Sequence, residues 1–200
     1  MKHRAFAIVQ YLRPLAKWCG ILALLTGVTL SGPASAETQP VDRIYAERLV
    51  KAAYLYKFGS YVVWPERSFA KPDSPLKIGI IGDDELAEEL ARMVIGRTSN
   101  GRPLTVHKIR PDATMPRVHV LFIGGTNRAQ IADMLTSFKG QPLLTVTETD
   151  HALNLGSMIN FVAIDGKLRF EVSPIAAGVG DLAMSPKLFP IAHKVASAPR

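Results

Sequence analysis

The apolar residues of this chain change period several times, and each change marks an element. From Arg43 to Tyr61, Ile44, Leu49, Ala52, Ala53, Leu55, Tyr56 and Phe58 recur at helical spacing between Arg43, Glu47, Arg48, Lys51 and Lys57, which predicts an amphipathic helix. Trp64-Pro65 ends it, because a proline disfavours helix at the residue before it. Leu76 to Ile81 is an almost continuous aliphatic run closed by Gly82, the composition of a strand buried on both faces. Asp83-Asp84-Glu85 opens a second helical stripe of Leu86, Ala87, Leu90, Ala91 and Val94, with its acids at the positive end of the helix dipole. After a turn at Asn100-Gly101, Leu104 to Ile109 and Val118 to Ile123 read as strands. Arg128 to Phe138 reads as a helix behind Gly124-Gly125-Thr126-Asn127, and Leu143 to Val146 as a fourth strand.

Strands alternating with helices predict an α/β fold, a single-domain three-layer sandwich whose mainly parallel sheet is flanked by helices. The pattern shifts near Gly156. Met158 to Ile164 and Leu168 to Val172 are strand-like runs joined by Asp165-Gly166, a strong hairpin signal, so a β-hairpin is expected in the C-terminal part of the chain. Pro174 to Leu182 and Pro186 to Val195 read as short closing helices, with a frayed end.

The opening of the chain follows a different logic. Lys2, Arg4, Arg13 and Lys17 precede an apolar run from Ile21 to Leu30, and Ala34-Ser35-Ala36 supplies a small-x-small cleavage pattern. Residues 1–36 are therefore expected to be a secretory signal cleaved after Ala36, since an uninterrupted run of about ten residues is too short for a bilayer core that takes roughly 20. Residues 37–200 are then one periplasmic domain of 164 residues, large enough for a real core. The formal charge falls from +7 to +3, twenty basic residues against seventeen acidic, and no dense basic run remains, which argues against nucleic acid as a partner. The one cysteine, Cys19, lies in the leader, so the mature form has no disulfide, thiol nucleophile or cysteine-bound metal.

Candidate chemistry is sparse. Gly79-Ile80-Ile81-Gly82-Asp83 runs from strand to helix as in nucleotide-binding folds, but lacks the G-x-G-x-x-G spacing, and its acids would repel a phosphate. Asp83 or Asp84 reads better as a helix cap. Gly124-Gly125-Thr126-Asn127 has the backbone to cradle an anion, or is a glycine turn capped by Thr or Asn. His107, His119, His151 and His193 stand at no metal-ligand spacing, and His119, inside an aliphatic strand, reads as a hydrogen-bonded core residue. The acidic group from Asp83 to Glu89 lacks the alternation of a calcium loop. Asp150-His151 and Ser157 supply the residue types of a hydrolase without a nucleophile-elbow motif. No catalytic, cofactor or metal residues are assigned.

Ala52-Ala53-Tyr54-Leu55-Tyr56-Lys57-Phe58 with Trp64-Pro65, Leu143-Leu144-Thr145-Val146, Gly156-Ser157-Met158-Ile159-Asn160-Phe161, Leu168-Arg169-Phe170-Glu171-Val172 and Leu182-Ala183-Met184-Ser185-Pro186-Lys187-Leu188 occur in an order that resembles the YfiR family of periplasmic proteins. The resemblance spans nearly all of residues 43–195. It implies a small α/β repressor, often dimeric, that binds the periplasmic sensing part of an inner-membrane diguanylate cyclase and holds it inactive, lowering cyclic di-GMP and biofilm formation. It also implies, in one version, sequestration by an outer-membrane peptidoglycan-associated lipoprotein, with redox control through cysteines that this mature chain lacks. The candidate partner-binding residues are Arg169, Glu171 and Trp64. Tyr54, Phe58 and Trp64 equally suit a helix packed on the sheet, and Arg169 and Glu171 suit pairing with a neighbouring strand. The other reading is a periplasmic small-ligand-binding protein serving another membrane receptor or transporter, although one domain of this size offers no second lobe to close over a ligand.

Overall fold

The computed structural model describes residues 40–197 apart from 112 and 126, so the expected signal at 1–36, its cleavage site, Cys19 and the last three residues lie outside the described residues. In chain order the elements are α1 (Pro40–Phe58), β1 (Val62–Val63), β2 (Leu76–Ile81), α2 (Asp84–Met93), β3 (Thr98–Ser99), β4 (Arg102–Ile109), β5 (Val120–Ile123) and α3 (Arg128–Ser137). They continue with β6 (Leu144–Thr147), β7 (Ile159–Ile164), β8 (Lys167–Val172), α4 (Pro174–Val179), β9 (Ala183–Met184) and β10 (Lys194–Val195).

The aliphatic run Leu76–Ile81 is buried near the middle of an eight-stranded sheet ordered β10-β8-β7-β6-β5-β2-β4-β3. Neighbours from β4 through β7 are parallel, whereas β8 is antiparallel to β7 and β3 to β4. Alternation within the strands explains the continuous apolar runs. Ile78, Ile80, Val120, Phe122 and Val146 face α1 and α2 and pack on Leu55, Phe58, Leu86 and Leu90. Ile81, Leu121 and Ile123 face the other way, onto Ile131 and Leu135 of α3. Each such large side chain, fully withdrawn from water, contributes about 1.5–3 kcal/mol.

Helix starts follow from local chemistry. Asp83 Oδ1 accepts from the Leu86 N–H, Asn127 Oδ1 from the Gln130 N–H and Ser173 Oγ from the Ala176 N–H, each satisfying a donor that has no partner in the first turn. In the hairpin, Phe161 pairs with Phe170 and Asn160 with Glu171, and its two turn residues both lie at positive φ, Asp165 at 50° and Gly166 at 69°.

The closing segment departs from expectation. α4 stops at Val179, and Pro186–Ile191 is a 3-10 turn followed by strand β10 rather than a second helix. Pro186 suits the first position after the Ser185 cap, but Pro190, inside the turn, lacks the N–H an α-helical ladder would need there, and the tighter turn accommodates that loss. β1 and β9 form a separate two-stranded antiparallel ribbon, Val62 opposite Met184, that ties the exit of α1 to the closing segment.

Candidate functional site

An open α/β sheet usually binds ligands at the C-terminal ends of its strands, where the strand order reverses. Here the reversal falls between β2, whose crossover runs through α2 to β4, and β5, whose crossover runs through α3 to β6. Backbone closes on backbone there between Gly82 and Gly124. The Gly124 N–H donates to the Ile81 carbonyl at 2.8 Å, and a Cβ on Gly82, which stands at φ +81°, would lie 2.5 Å from the Gly124 carbonyl oxygen. Glu148, just after β6, crowds the same turn and holds Lys51 of α1 at 2.6 Å, with Glu47 on the other side of the ammonium at 2.9 Å. Burial opposes the Lys51 charge, yet its hydrogen bonds to the two carboxylates raise its pKa above the usual lysine value. Gly82 and Gly124 are packing glycines pressed against neighbouring backbone and side chains, whereas a Cβ on Gly125 would meet nothing within 4 Å.

The residue types of a hydrolase do not converge. Ser157 is fully buried and its hydroxyl donates to the Ile159 carbonyl at 2.7 Å while accepting from Thr147 Oγ1 at 2.9 Å. Asn160 Oδ1 lies 2.8 Å from the same threonine oxygen and accepts from the Thr149 N–H, which ties the end of β6 to the start of β7. His151 is exposed and makes no side-chain hydrogen bond among the described residues. Ser157 thus serves a buried polar network that sequence spacing did not reveal. Among the described residues, no three His, Cys, Asp or Glu side chains are grouped so as to hold a metal ion.

His119 is 4 % exposed and its ring is held at both nitrogens by backbone. Nδ1 accepts from the Lys77 N–H at 3.0 Å and Nε2 lies 3.1 Å from the Ser68 carbonyl, an arrangement that needs the neutral ring with its proton on Nε2. Burial lowers the His119 pKa, the Ser68 hydrogen bond acts against this, and the charges of Lys77, Arg102 and Arg117 lower it further. Phe69 stacks on the imidazole at 4.3 Å, and Arg102 covers the other face of Phe69, its guanidinium 3.7 Å from the ring centre. Trp64 meets His119 edge-on at 6.2 Å, and its indole N–H is buried without a partner.

Trp64 is thus half-buried against the core, as Tyr54 and Phe58 are packed among Phe161 and Phe170. Arg169 and Glu171 are elsewhere. They project from β8 on the face opposite Phe170, Arg169 exposed across from Val162, and Glu171 in register with Asn160 on one side and Lys194 on the other. No hydrogen bond, ion pair or ring contact joins Trp64 to either residue among the described residues. The structure therefore brings two of the three candidates onto one sheet face and leaves the third apart.

The mostly parallel sheet flanked by helices, with an antiparallel hairpin beside its parallel strands, defines an α/β protein. A family model described as YfiR/HmsC-like matches residues 48–193, well over half of the chain, and the chain belongs to that family. No curated protein matches it.

Proposed function

We propose that the protein is a non-catalytic periplasmic regulator that binds the periplasmic sensing part of an inner-membrane diguanylate cyclase and represses it, lowering cyclic di-GMP and biofilm formation. Membership of the YfiR/HmsC-like family over residues 48–193 carries this reading. The buried Ser157, engaged with Thr147 and Ile159, and the close backbone approach of Gly82 to Gly124 support it, because the first takes up the hydroxyl a hydrolase would need and the second leaves no room for a phosphate between those two glycines. No helix among the described residues is long and apolar enough to cross a membrane. In this reading residues 1–36 are the cleaved export signal and 37–200 act as one domain. Arg169 and Glu171 contribute to the receptor contact from the hairpin face, and Trp64 contributes from a separate place. A peptidoglycan-associated outer-membrane lipoprotein as a sequestering partner, and a homodimer, belong to the same proposal.

Repression needs no covalent step. A regulator that binds the inactive receptor state about 10⁴-fold better than the active one moves the receptor from mostly active to mostly inactive. The test is intracellular cyclic di-GMP in a strain lacking the gene, complemented by the full-length chain or by one without residues 2–36. The expected result is a rise reversed only by the full-length chain. An unchanged level, in a strain that demonstrably makes the protein, sinks the cyclase assignment.

One observation favours ligand binding as a second reading. A cavity of about 490 Å³ is lined by Arg67, Ser68, Arg117, His119 and Phe138 among others, and the buried Ser68 hydroxyl has no hydrogen-bond partner. Arg67 is already paired with Asp181 at 2.6 Å, which weakens its claim as an anion receptor.

A further inference from the structure

The two sides of the sheet are finished differently. At one side the last strand is β10, only two residues long, the kind of short strand that protects an edge from stray pairing. At the other side β3 covers β4 only at Arg102 and Pro103. From Leu104 to Ile109, β4 pairs with β2 alone, and no turn or loop backbone bonds to this stretch among the described residues. Six residues of strand therefore present a free ladder edge.

The usual guards are missing or occupied. The stretch contains no proline after Pro103, and its one lysine, Lys108, is drawn onto α2 by Glu88 at 3.0 Å and Asp84 at 3.2 Å. Beside the edge, Ala91, Val94 and Ile95 at the end of α2 and Leu104 and Val106 of β4 line an apolar groove of about 530 Å³. Ile95 is 78 % exposed there, the most exposed large apolar side chain among the described residues. Arg97 and Arg110 flank the edge, and neither forms an ion pair among the described residues, whereas Arg102, in the part that β3 covers, donates to the Lys71 and Ser74 carbonyls at 3.2 and 2.9 Å. Arg97 and Arg102 lie over the rings of Tyr56 and Phe69.

We infer that the free edge of β4 is a docking site for an extended segment of a partner protein in which apolar and acidic residues alternate, added to the sheet as a further strand. Main-chain hydrogen bonds along Leu104–Ile109 supply the attachment, the groove beside Ile95 receives alternate apolar side chains, and the unpaired arginines select acids. The inference does not depend on which membrane enzyme the protein regulates.

The test uses the purified protein and a nine-residue peptide of alternating valine and glutamate with blocked ends, followed by backbone amide chemical shifts. Saturable shifts at Thr105–Ile109 and Ile95 are expected. The same peptide N-methylated at alternate residues, or with lysine for glutamate, should bind about tenfold more weakly or not at all. Ile95→Asp, a change at an exposed side chain that leaves the core intact, should weaken the acidic peptide about tenfold. Equal binding of the N-methylated peptide, shifts confined to other surfaces, or no saturable binding each overturn the proposal. So does self-association without peptide that shifts the same amides, since the edge would then belong to a second copy.

Discussion

His119 shows how a single buried group sets a pH response. Its geometry requires the neutral ring, and its pKa is held below the ordinary 6.5, so in mild acid the unfolded chain takes up the proton before the folded one does. The stabilisation is complete above about pH 6.5 and is lost as pH falls through the folded value. His107 adds to the trend, because burial and then the Lys77 charge lower its pKa as well. The urea midpoint should stay level from pH 8 to 7 and drop toward pH 5. In His119→Gln it should be lower at pH 8 but less steep in acid, and an unchanged slope would remove His119 as the cause. Burial of His119 was legible in the sequence, since an aliphatic strand surrounds it. Its partners were not, because Ser68 and Lys77 come from loop and strand residues 51 and 42 positions away. Ser157 is the contrary case, where the sequence offered only a residue type that a hydrolase would need and the fold shows a buried link between β6 and β7.

At the level of elements, α1 is fastened to the hairpin by rings. Phe58 lies 5.1 Å from Phe170 and 5.9 Å from Phe161, and Tyr54 lies 5.1 Å from Phe170. Phe170→Ala should lower unfolding stability by about 3–5 kcal/mol, and more than truncation of an exposed residue on the same strand. A loss below about 1 kcal/mol in urea unfolding would mean that the cluster repacks. The helical stripe of α1, the run of β2 and the Asp165-Gly166 turn were all readable, because each has a period or a turn chemistry of its own. β1, β9 and β10 were not. Two residues carry no period, and these strands exist only because the tertiary structure brings another edge alongside.

For the whole molecule, the family and the α/β layering could be read in advance, while the surfaces that would select a partner could not, since exposed positions satisfy no packing rule. The paired reversal Arg169→Glu with Glu171→Lys tests the hairpin face as a receptor contact. Both residues lie opposite the Phe170 side of β8, so the thermal midpoint should stay within a few degrees of the parent. The expected result is loss of most of the repression measured by cyclic di-GMP, and full repression by a folded, exported variant would clear this face of the role. The ribbon of β1 with β9 and the seating of α1 on β8 also bear on synthesis. The first described helix packs early on α2 and β2, but its ring partners Phe161 and Phe170, and the β9 strand that pairs with β1, emerge more than a hundred positions later, so the fold cannot close until the chain is almost complete. For a protein that crosses a membrane in the exported reading proposed above, that late closure keeps the chain loose enough to be threaded through a narrow channel and lets it set only on the far side.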